Sequence, residues 1–195
     1  MRKIFLFFIL IFLFIIAGCV KPLSITPSYI SKEGIDIKVS ILDSYDWRLL
    51  AKDILVLNLE IFNGRNEPIW VFPLSKSVII DSKNRQYFPV REFQYVKTDT
   101  KPKVSFEITF STQEPPQGKL SISLGDEKKD EEILKLINKY EVLKFKDGKI
   151  LEGASVSGII IFYMPNYISS AKYIIPEVYL EKSNRYVDFE FIFER

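Results

Sequence analysis

Apolar and polar residues alternate along most of the chain after residue 34. Residues 35–41 alternate without a fault, and residues 54–62 place four aliphatic side chains on one side. Because successive side chains of a strand point to opposite faces, this period of two predicts strands that bury one face. Alternation or a short apolar run predicts further strands at 68–73, 78–80, 86–88, 104–110, 120–124, 156–163, 173–180 and 186–194.

Three of these segments also indicate where their strands lie. Residues 156–163 are apolar on both faces toward their end, which predicts a central strand. Prolines flank the strand at 68–73, which places it near a sheet edge. In 186–194 the apolar residues alternate with polar ones, so Tyr186, Asp188 and Glu190 are expected on the solvent face.

One segment departs from the alternation and predicts a helix over about residues 126–141. Ile133, Leu136, Ile137 and Tyr140 follow the i, i+3, i+4, i+7 spacing of a helix with one buried side. Acidic residues crowd its start and lysines follow, the order that suits the helix dipole. The acidic cluster could also be a cation site. Lysines lie among the acids and calcium-loop spacing is absent, so we expect a charged first turn and no metal.

The first residues have a pattern of their own. Arg2 and Lys3 precede an unbroken apolar run over residues 4–16, and Ala17-Gly18-Cys19 follows. As a helix the run would reach about 20 Å, less than the roughly 30 Å of a bilayer's hydrocarbon core. This order of charge, short apolar run and small residues predicts a signal peptide with a helical core. The alternative is a signal-anchor with a chance cysteine.

The tetrapeptide Ile16-Ala17-Gly18-Cys19 resembles the lipobox of bacterial lipoproteins. The resemblance implies that the Cys19 thiol accepts a diacylglyceryl group, and that the signal peptidase recognises Ile16, Ala17 and Gly18 and cuts before Cys19. It also implies that further acylation, such as palmitate, anchors the mature protein in a membrane. Cys19 is the only cysteine in the chain, so no disulfide competes for it.

The chain therefore divides into a signal peptide (1–18), a lipidated cysteine with a tether (19–33) and a domain (34–195). Pro22 and Pro27 interrupt residues 20–33, which show no clear period, so we expect a flexible tether there. The predicted location is the bacterial cell envelope. In enteric-type bacteria an aspartate after the cysteine retains a lipoprotein in the inner membrane, so in a source with two membranes Val20 would permit export to the periplasmic face of the outer membrane. In a source with one membrane, the body faces outward from it.

Eight or nine short strands with one inserted helix predict a mainly β fold, an antiparallel β-sandwich. The order of features is similar to the immunoglobulin-like domains of bacterial lipoproteins. The shared features are the long strand ending at Asn63, the hairpin at 78–88, the late strand after Gly153 and the aromatic strand that ends the chain. The Cys–Trp–Cys signature of antibody domains is absent. The resemblance implies a binding or scaffolding role and transfers no catalytic residue.

Composition narrows the chemistry. Arg2 and Lys3 account for the net charge of +2, so the rest of the chain is balanced and gives no electrostatic case for nucleic acid. Histidine is absent, which excludes histidine-based triads and most zinc sites.

Ser169 and Lys172 match the S-x-x-K spacing of Ser–Lys hydrolases, which would require Ser169 at a helix start facing Lys172 in a cleft. Asp188 and Glu190 could pair as acid and base, but a solvated outer face is the simpler interpretation. We therefore expect neither catalysis nor a cofactor.

Aromatic side chains are the better binding candidates. Tyr87, Arg91 and Tyr95 lie in a compact aromatic and basic stretch, a composition favoured in protein interfaces. The alternative is that the stretch belongs to the core, where we also expect Trp47 and Trp70.

The sequence thus predicts a lipid-anchored module that binds an envelope protein through an edge strand or an aromatic patch. A carrier or sensor of a small apolar ligand is the alternative, and a Ser–Lys hydrolase a remote one.

Overall fold

The computed structural model describes residues 22–42, 45–51, 53–97, 104–109, 117–124, 127–164 and 168–195. The predicted signal peptide with Ile16, Ala17 and Gly18, together with Cys19, lies outside the described residues, so the lipobox stays a prediction.

A short 3-10 helix spans Tyr45–Leu49, and α1 (Pro73–Lys76) is also short, whereas α2 (Glu127–Leu143) is long. The strands are, in chain order, β1 (Ser24–Thr26), β2 (Tyr29–Lys32), β3 (Ile35–Ile41), β4 (Ile54–Asn63), β5 (Ile69–Val71), β6 (Val78–Asp81), β7 (Gln86–Tyr87), β8 (Val90–Lys97), β9 (Val104–Thr109), β10 (Gln117–Leu124), β11 (Gly148–Ile150), β12 (Ser155–Tyr163), β13 (Ser170–Leu180) and β14 (Arg185–Glu194).

Two antiparallel sheets form the body of the molecule. The first has the order β12-β4-β3-β2. In the second, β1, β14 and β13 pair in that order, and the far edge of β13 pairs with β5 along one stretch and with β6 along another. β11 continues the sheet beyond β5, and β7 continues it beyond β6. The mainly β sandwich with one long helix that the sequence predicts is confirmed.

The core lies between these sheets. Alternate residues of β3, β4 and β12 pack against alternate residues of β5, β6, β13 and β14 in one apolar cluster. Phe189, Phe191 and Phe193 on β14 are all buried, as the alternation of that strand requires. Tyr173 contributes a further buried ring, in edge contact with Phe162 across the two sheets, at 5.6 Å between ring centroids.

The resemblance to immunoglobulin-like domains stays a prediction from the sequence.

A third layer covers part of the outer face of the first sheet. There α2 and the three-stranded sheet β8-β10-β9 pack on Val56, Ile159 and Ile161 in a second apolar cluster. This layer explains why β12 is apolar on both faces, as its sequence predicted. The prediction of a central strand was wrong, because β12 ends the strand order of the first sheet in the described part of the chain. Its outer edge instead meets the chain after α2, where Phe145 N–H donates to the Ile159 carbonyl at 2.9 Å.

Three expectations need correction. Residues 24–32 are not a flexible tether, because β1 pairs with β14 and β2 pairs with β3, while Leu23, Ile25 and Ile30 pack against the core. The three-stranded sheet of the third layer is not wholly antiparallel, since its strands β8 and β10 are parallel. There are fourteen strands among the described residues, because the hairpins and edges use segments of only two to four residues.

Candidate binding face

A row of aromatic side chains crosses the outer face of the second sheet. Tyr186 on β14 is the cross-strand partner of Tyr179 on β13, and Tyr179 is the partner of Trp70 on β5. Lys149 on β11 continues the row beside Trp70. Cross-strand partners point to the same face of a sheet. Their chain neighbours, such as Leu180 and Val187, are buried on the inner face, so the row lies on the solvent side. We call these four residues the aromatic row.

Tyr186 is exposed, Trp70 and Tyr179 are half-buried, and several polar atoms of the row bind within the protein. Tyr186 is 64% exposed and its ring lies 5.1 Å from that of Tyr179 between centroids. The Tyr179 hydroxyl donates to Asn184 Oδ1 at 3.2 Å, and Trp70 Nε1 donates to Glu181 Oε2 at 3.3 Å. These contacts fix the orientation of two of the three rings.

Charge in the row is paired. Lys149 Nζ lies 2.7 Å from Glu181 Oε2 and 5.7 Å from the centre of the Trp70 ring, within cation–π range. The hydrogen bond from Lys149 holds the pKa of the Glu181 carboxyl below its usual range. The ammonium of the row and the Glu181 carboxylate beside it therefore neutralise each other at neutral pH.

The turn at residues 181–184 presents Glu181 and Asn184 to the row, and a buried carboxylate holds this turn in place. Glu67, only 3% exposed, accepts from the backbone N–H groups of Lys182 at 2.7 Å and Ser183 at 2.9 Å. It also accepts from the Ser183 hydroxyl at 2.7 Å and from the Arg65 guanidinium. The Ser183 hydroxyl, followed by Arg65 and the backbone donors, holds the pKa of Glu67 at about 2 against the opposing effect of burial.

Asn63 fixes the loop that contains Glu67. Its fully buried amide donates to the carbonyls of Glu67, at 2.8 Å, and of Ile150 and Leu151, at 3.1 Å each. Its Oδ1 accepts from the backbone N–H of Arg65 at 3.1 Å. One side chain thus joins the β4–β5 loop to the segment between β11 and β12, and the joined loop supports the turn beside the row.

The predicted interaction surface of Tyr87, Arg91 and Tyr95 does not form an exposed aromatic patch. Tyr87 is buried, because β7 pairs with β6 and turns this ring into the core, and its hydroxyl donates to Asp81 Oδ2 at 3.1 Å. The half-buried Arg91 donates to the carbonyls of Leu74 and Ser75 in α1. The Tyr95 side chain lies outside the described residues. Tyr87 and Arg91 are therefore structural residues.

A second buried carboxylate, Asp81, stabilises the β6–β7 hairpin. It accepts from the backbone N–H groups of Lys83 at 2.8 Å and Arg85 at 2.9 Å, from the Arg85 guanidinium at 2.6 Å, and from Tyr87. Burial raises its pKa, but these hydrogen bonds outweigh burial and hold the pKa at about 2.

The two tryptophans have different environments. Trp47 is buried in the second apolar cluster, as predicted. The prediction for Trp70 was wrong, because its position on a three-residue strand turns the ring to the outer face of the second sheet. Sequence reasoning also missed Tyr179, since the row becomes visible only when the register of three strands is known.

The residues considered for catalysis are dispersed. Ser169 precedes a strand and not a helix, and Lys172 lies on β13, where its ammonium pairs with Glu190 at 3.3 Å. The geometry that a Ser–Lys hydrolase requires is therefore not met. Asp188 accepts from the Glu177 N–H at 2.8 Å and, like Glu190, is on the solvent face, as predicted. In the described ranges, no group of three or more acidic residues, histidines or cysteines could hold a metal ion.

Comparisons with known proteins give one weak likeness. No protein-family model and no curated protein matches the chain. Among solved structures, the chain is similar to YcdA of Bacillus subtilis strain 168, a candidate lipoprotein, with 15% sequence identity and a TM-score of 0.38. The match covers 84% of this chain and 38% of the other, so this chain spans well under half the length of that protein. At this similarity nothing about function transfers.

None of the helices in the described part of the chain is long and apolar enough to span a membrane.

Proposed function

We propose that this chain is a lipid-anchored module of the bacterial cell envelope that holds another envelope component on the aromatic row. The anchor rests on the lipobox-like Ile16-Ala17-Gly18-Cys19. The binding role rests on one observation, a row of three aromatic rings on the solvent face, two of which are held by hydrogen bonds to a turn anchored on Glu67. Exposed aromatic surface is costly in water, and contiguous patches of it mark binding sites.

The position of the row supports a partner away from the anchoring membrane. β1 pairs Ser24 with Glu194 at the end of β14, whereas Tyr186 lies near the start of that strand. Eight residues of extended chain separate these positions by about 27 Å. The lipid on Cys19 would join the domain at the Ser24 end, so the row would lie at the opposite end, facing the rest of the envelope.

The carrier of a small apolar ligand has less support. Large buried side chains from both sheets occupy the space between them, among them Phe162, Tyr173 and Phe191. A binding site on the surface agrees better with such a core than a site inside the sandwich.

The anchor is tested by Cys19→Ser, which removes the thiol that would accept lipid. We expect this variant to lose palmitate labelling, to retain its leader and to fractionate differently from wild type. The control is Ser28→Ala, an exposed position outside the tetrapeptide that should be processed normally. Normal processing and lipid labelling of Cys19→Ser would contradict the anchor.

The binding role is tested by a photo-crosslinking amino acid at position 186 of the full-length protein in living cells. We expect a reproducible covalent adduct with an envelope component. The control is the same group at Tyr29, which is 52% exposed on the other sheet. Absence of adducts at position 186, or equal adducts at both positions, would contradict a binding role for the row.

A further inference from the structure

We propose that the component held by the aromatic row is an uncharged glycan strand, whose sugar rings stack on Trp70, Tyr179 and Tyr186. This inference rests on the proposed binding function and names the chemical class of the partner. A pyranose ring presents C–H groups on its faces and hydroxyls around its edge. It therefore stacks on an aromatic ring and hydrogen-bonds to polar groups beside that ring.

The shape of the row suits a chain of linked rings. Its four side chains lie on four neighbouring strands, so the row is about 14 Å long at roughly 4.8 Å per strand. It is one residue wide. Exposed, charged Asp188 and Glu177 border it on one side, and the turn at 181–184 borders it on the other. A narrow strip that crosses the strands fits an extended polymer.

The same dimensions disfavour a globular protein as partner. A stable protein interface buries about 800 Å² on each side and involves 20 to 30 residues around an apolar centre. The row offers three aromatic side chains, and the next residue of β14 on the same face, Asp188, has a carboxylate. A protein partner is therefore the alternative outcome of the test.

The charge and hydrogen-bonding groups of the row point to an uncharged chain. Lys149 and Glu181 pair with each other, so the row itself carries no net charge, and the exposed Asp188 carboxylate beside it disfavours an anionic ligand. Both groups can still exchange hydrogen bonds with hydroxyls at the end of the row. Trp70 Nε1 and the Tyr179 hydroxyl are bonded within the protein, so these two half-buried residues can offer a ligand the exposed part of their rings rather than these polar atoms.

The test is a titration of the full-length protein, purified in detergent, with a tetrasaccharide of β-1,4-linked N-acetylglucosamine. Trp70 lies in the row and Trp47 is buried, so a change in tryptophan fluorescence reports ligand at the row. We expect saturable binding that Tyr186→Ala weakens roughly five- to tenfold, the effect of one lost stacked ring. Trp70→Phe, which keeps a ring, should weaken binding less than Trp70→Ala, and both are measured by calorimetric titration because these variants lack the fluorescent reporter. The control Tyr29→Ala should bind as wild type does.

Failure to bind the tetrasaccharide, or equal weakening by Tyr186→Ala and Tyr29→Ala, would overturn the glycan assignment. In that case the adduct formed at position 186 in cells separates the two proposals. A protein adduct would leave the binding function in place and replace the glycan by a protein. No adduct together with no tetrasaccharide binding would overturn both.

Discussion

Replacement of Asn63 by alanine tests how the binding face is supported. The Asn63 side-chain amide has two N–H groups that serve three carbonyls, and its oxygen accepts from Arg65 N–H. The contacts with the Glu67 and Ile150 carbonyls are buried, so alanine at this fully buried position leaves these two carbonyls without that donor and without access to water.

The expected loss of stability follows from the buried polar groups that lose their hydrogen-bond partner. A buried polar group that loses its hydrogen bond costs about 1–3 kcal/mol. At least two such groups lose their partner in Asn63→Ala, so we expect a loss of about 3 kcal/mol in the free energy of unfolding. For a chain of this size that corresponds to a fall in Tm of roughly 6–12 °C.

The assay is urea denaturation at pH 7, followed by circular dichroism, with Asn66→Ala as control. Asn66 lies in the same loop but its side chain is exposed, so its replacement should change stability by less than about 0.5 kcal/mol. Asn63→Asp keeps the shape but directs a carboxylate oxygen at the carbonyls, so it should destabilise at least as much as alanine. Equal midpoints for Asn63→Ala and Asn66→Ala would refute the assigned role of this amide.

Two further predictions concern pH and packing. Glu67 and Asp81 have folded-state pKa values of about 2, below their ordinary 4.5 and 3.8, so the unfolded chain binds more protons in acid and stability should fall as pH drops from about 5 toward 2. Glu67→Gln should reduce this dependence of stability on pH, measured by thermal melts across that range. The control Glu60→Gln, at an exposed position, should show the same change of Tm with pH as wild type. An identical change of Tm with pH in both variants would contradict the role of Glu67. Gly158 lies against the chain that leaves α2, and a Cβ there would come within 2.5 Å of Phe145 Cα and 2.7 Å of its N. Gly158→Ala should therefore cost about 1–3 kcal/mol in urea denaturation, and a cost no larger than that of Ser157→Ala, at an exposed position on the same strand, would refute this packing.

The sequence pattern predicted the elements that bury one continuous face. The alternation in β3, β4 and β14 and the helical spacing around Tyr140 identify those elements because burial requires a fixed period. Residues 24–32 were misjudged as a tether for the opposite reason. Their strands are short and mostly exposed, so few apolar positions reveal them, and the prolines suggest an irregular chain.

The binding face could not be predicted from the sequence because it depends on register between distant segments. Trp70, Tyr179 and Tyr186 come from three strands, and nothing local in the sequence indicates that they are neighbours. Tyr87 shows the converse. Its position in an aromatic and basic stretch suggested a surface, but the pairing of β7 with β6 decides that it is buried. Asn63 beside Gly64 was a sufficient turn signal, yet two of the four hydrogen bonds of its side chain reach carbonyls in a distant part of the chain.

Hydroxyl-radical footprinting of the tyrosines in intact cells tests the central claim most directly, because it needs no substitution. Tyr186 and Tyr29 are both well exposed in the isolated chain and should be oxidised at similar rates in the purified protein. If the aromatic row is occupied in the envelope, oxidation of Tyr186 should be suppressed in cells while that of Tyr29 is unchanged. Equal oxidation of both tyrosines in cells and in the purified protein would contradict the claim that this face binds an envelope component.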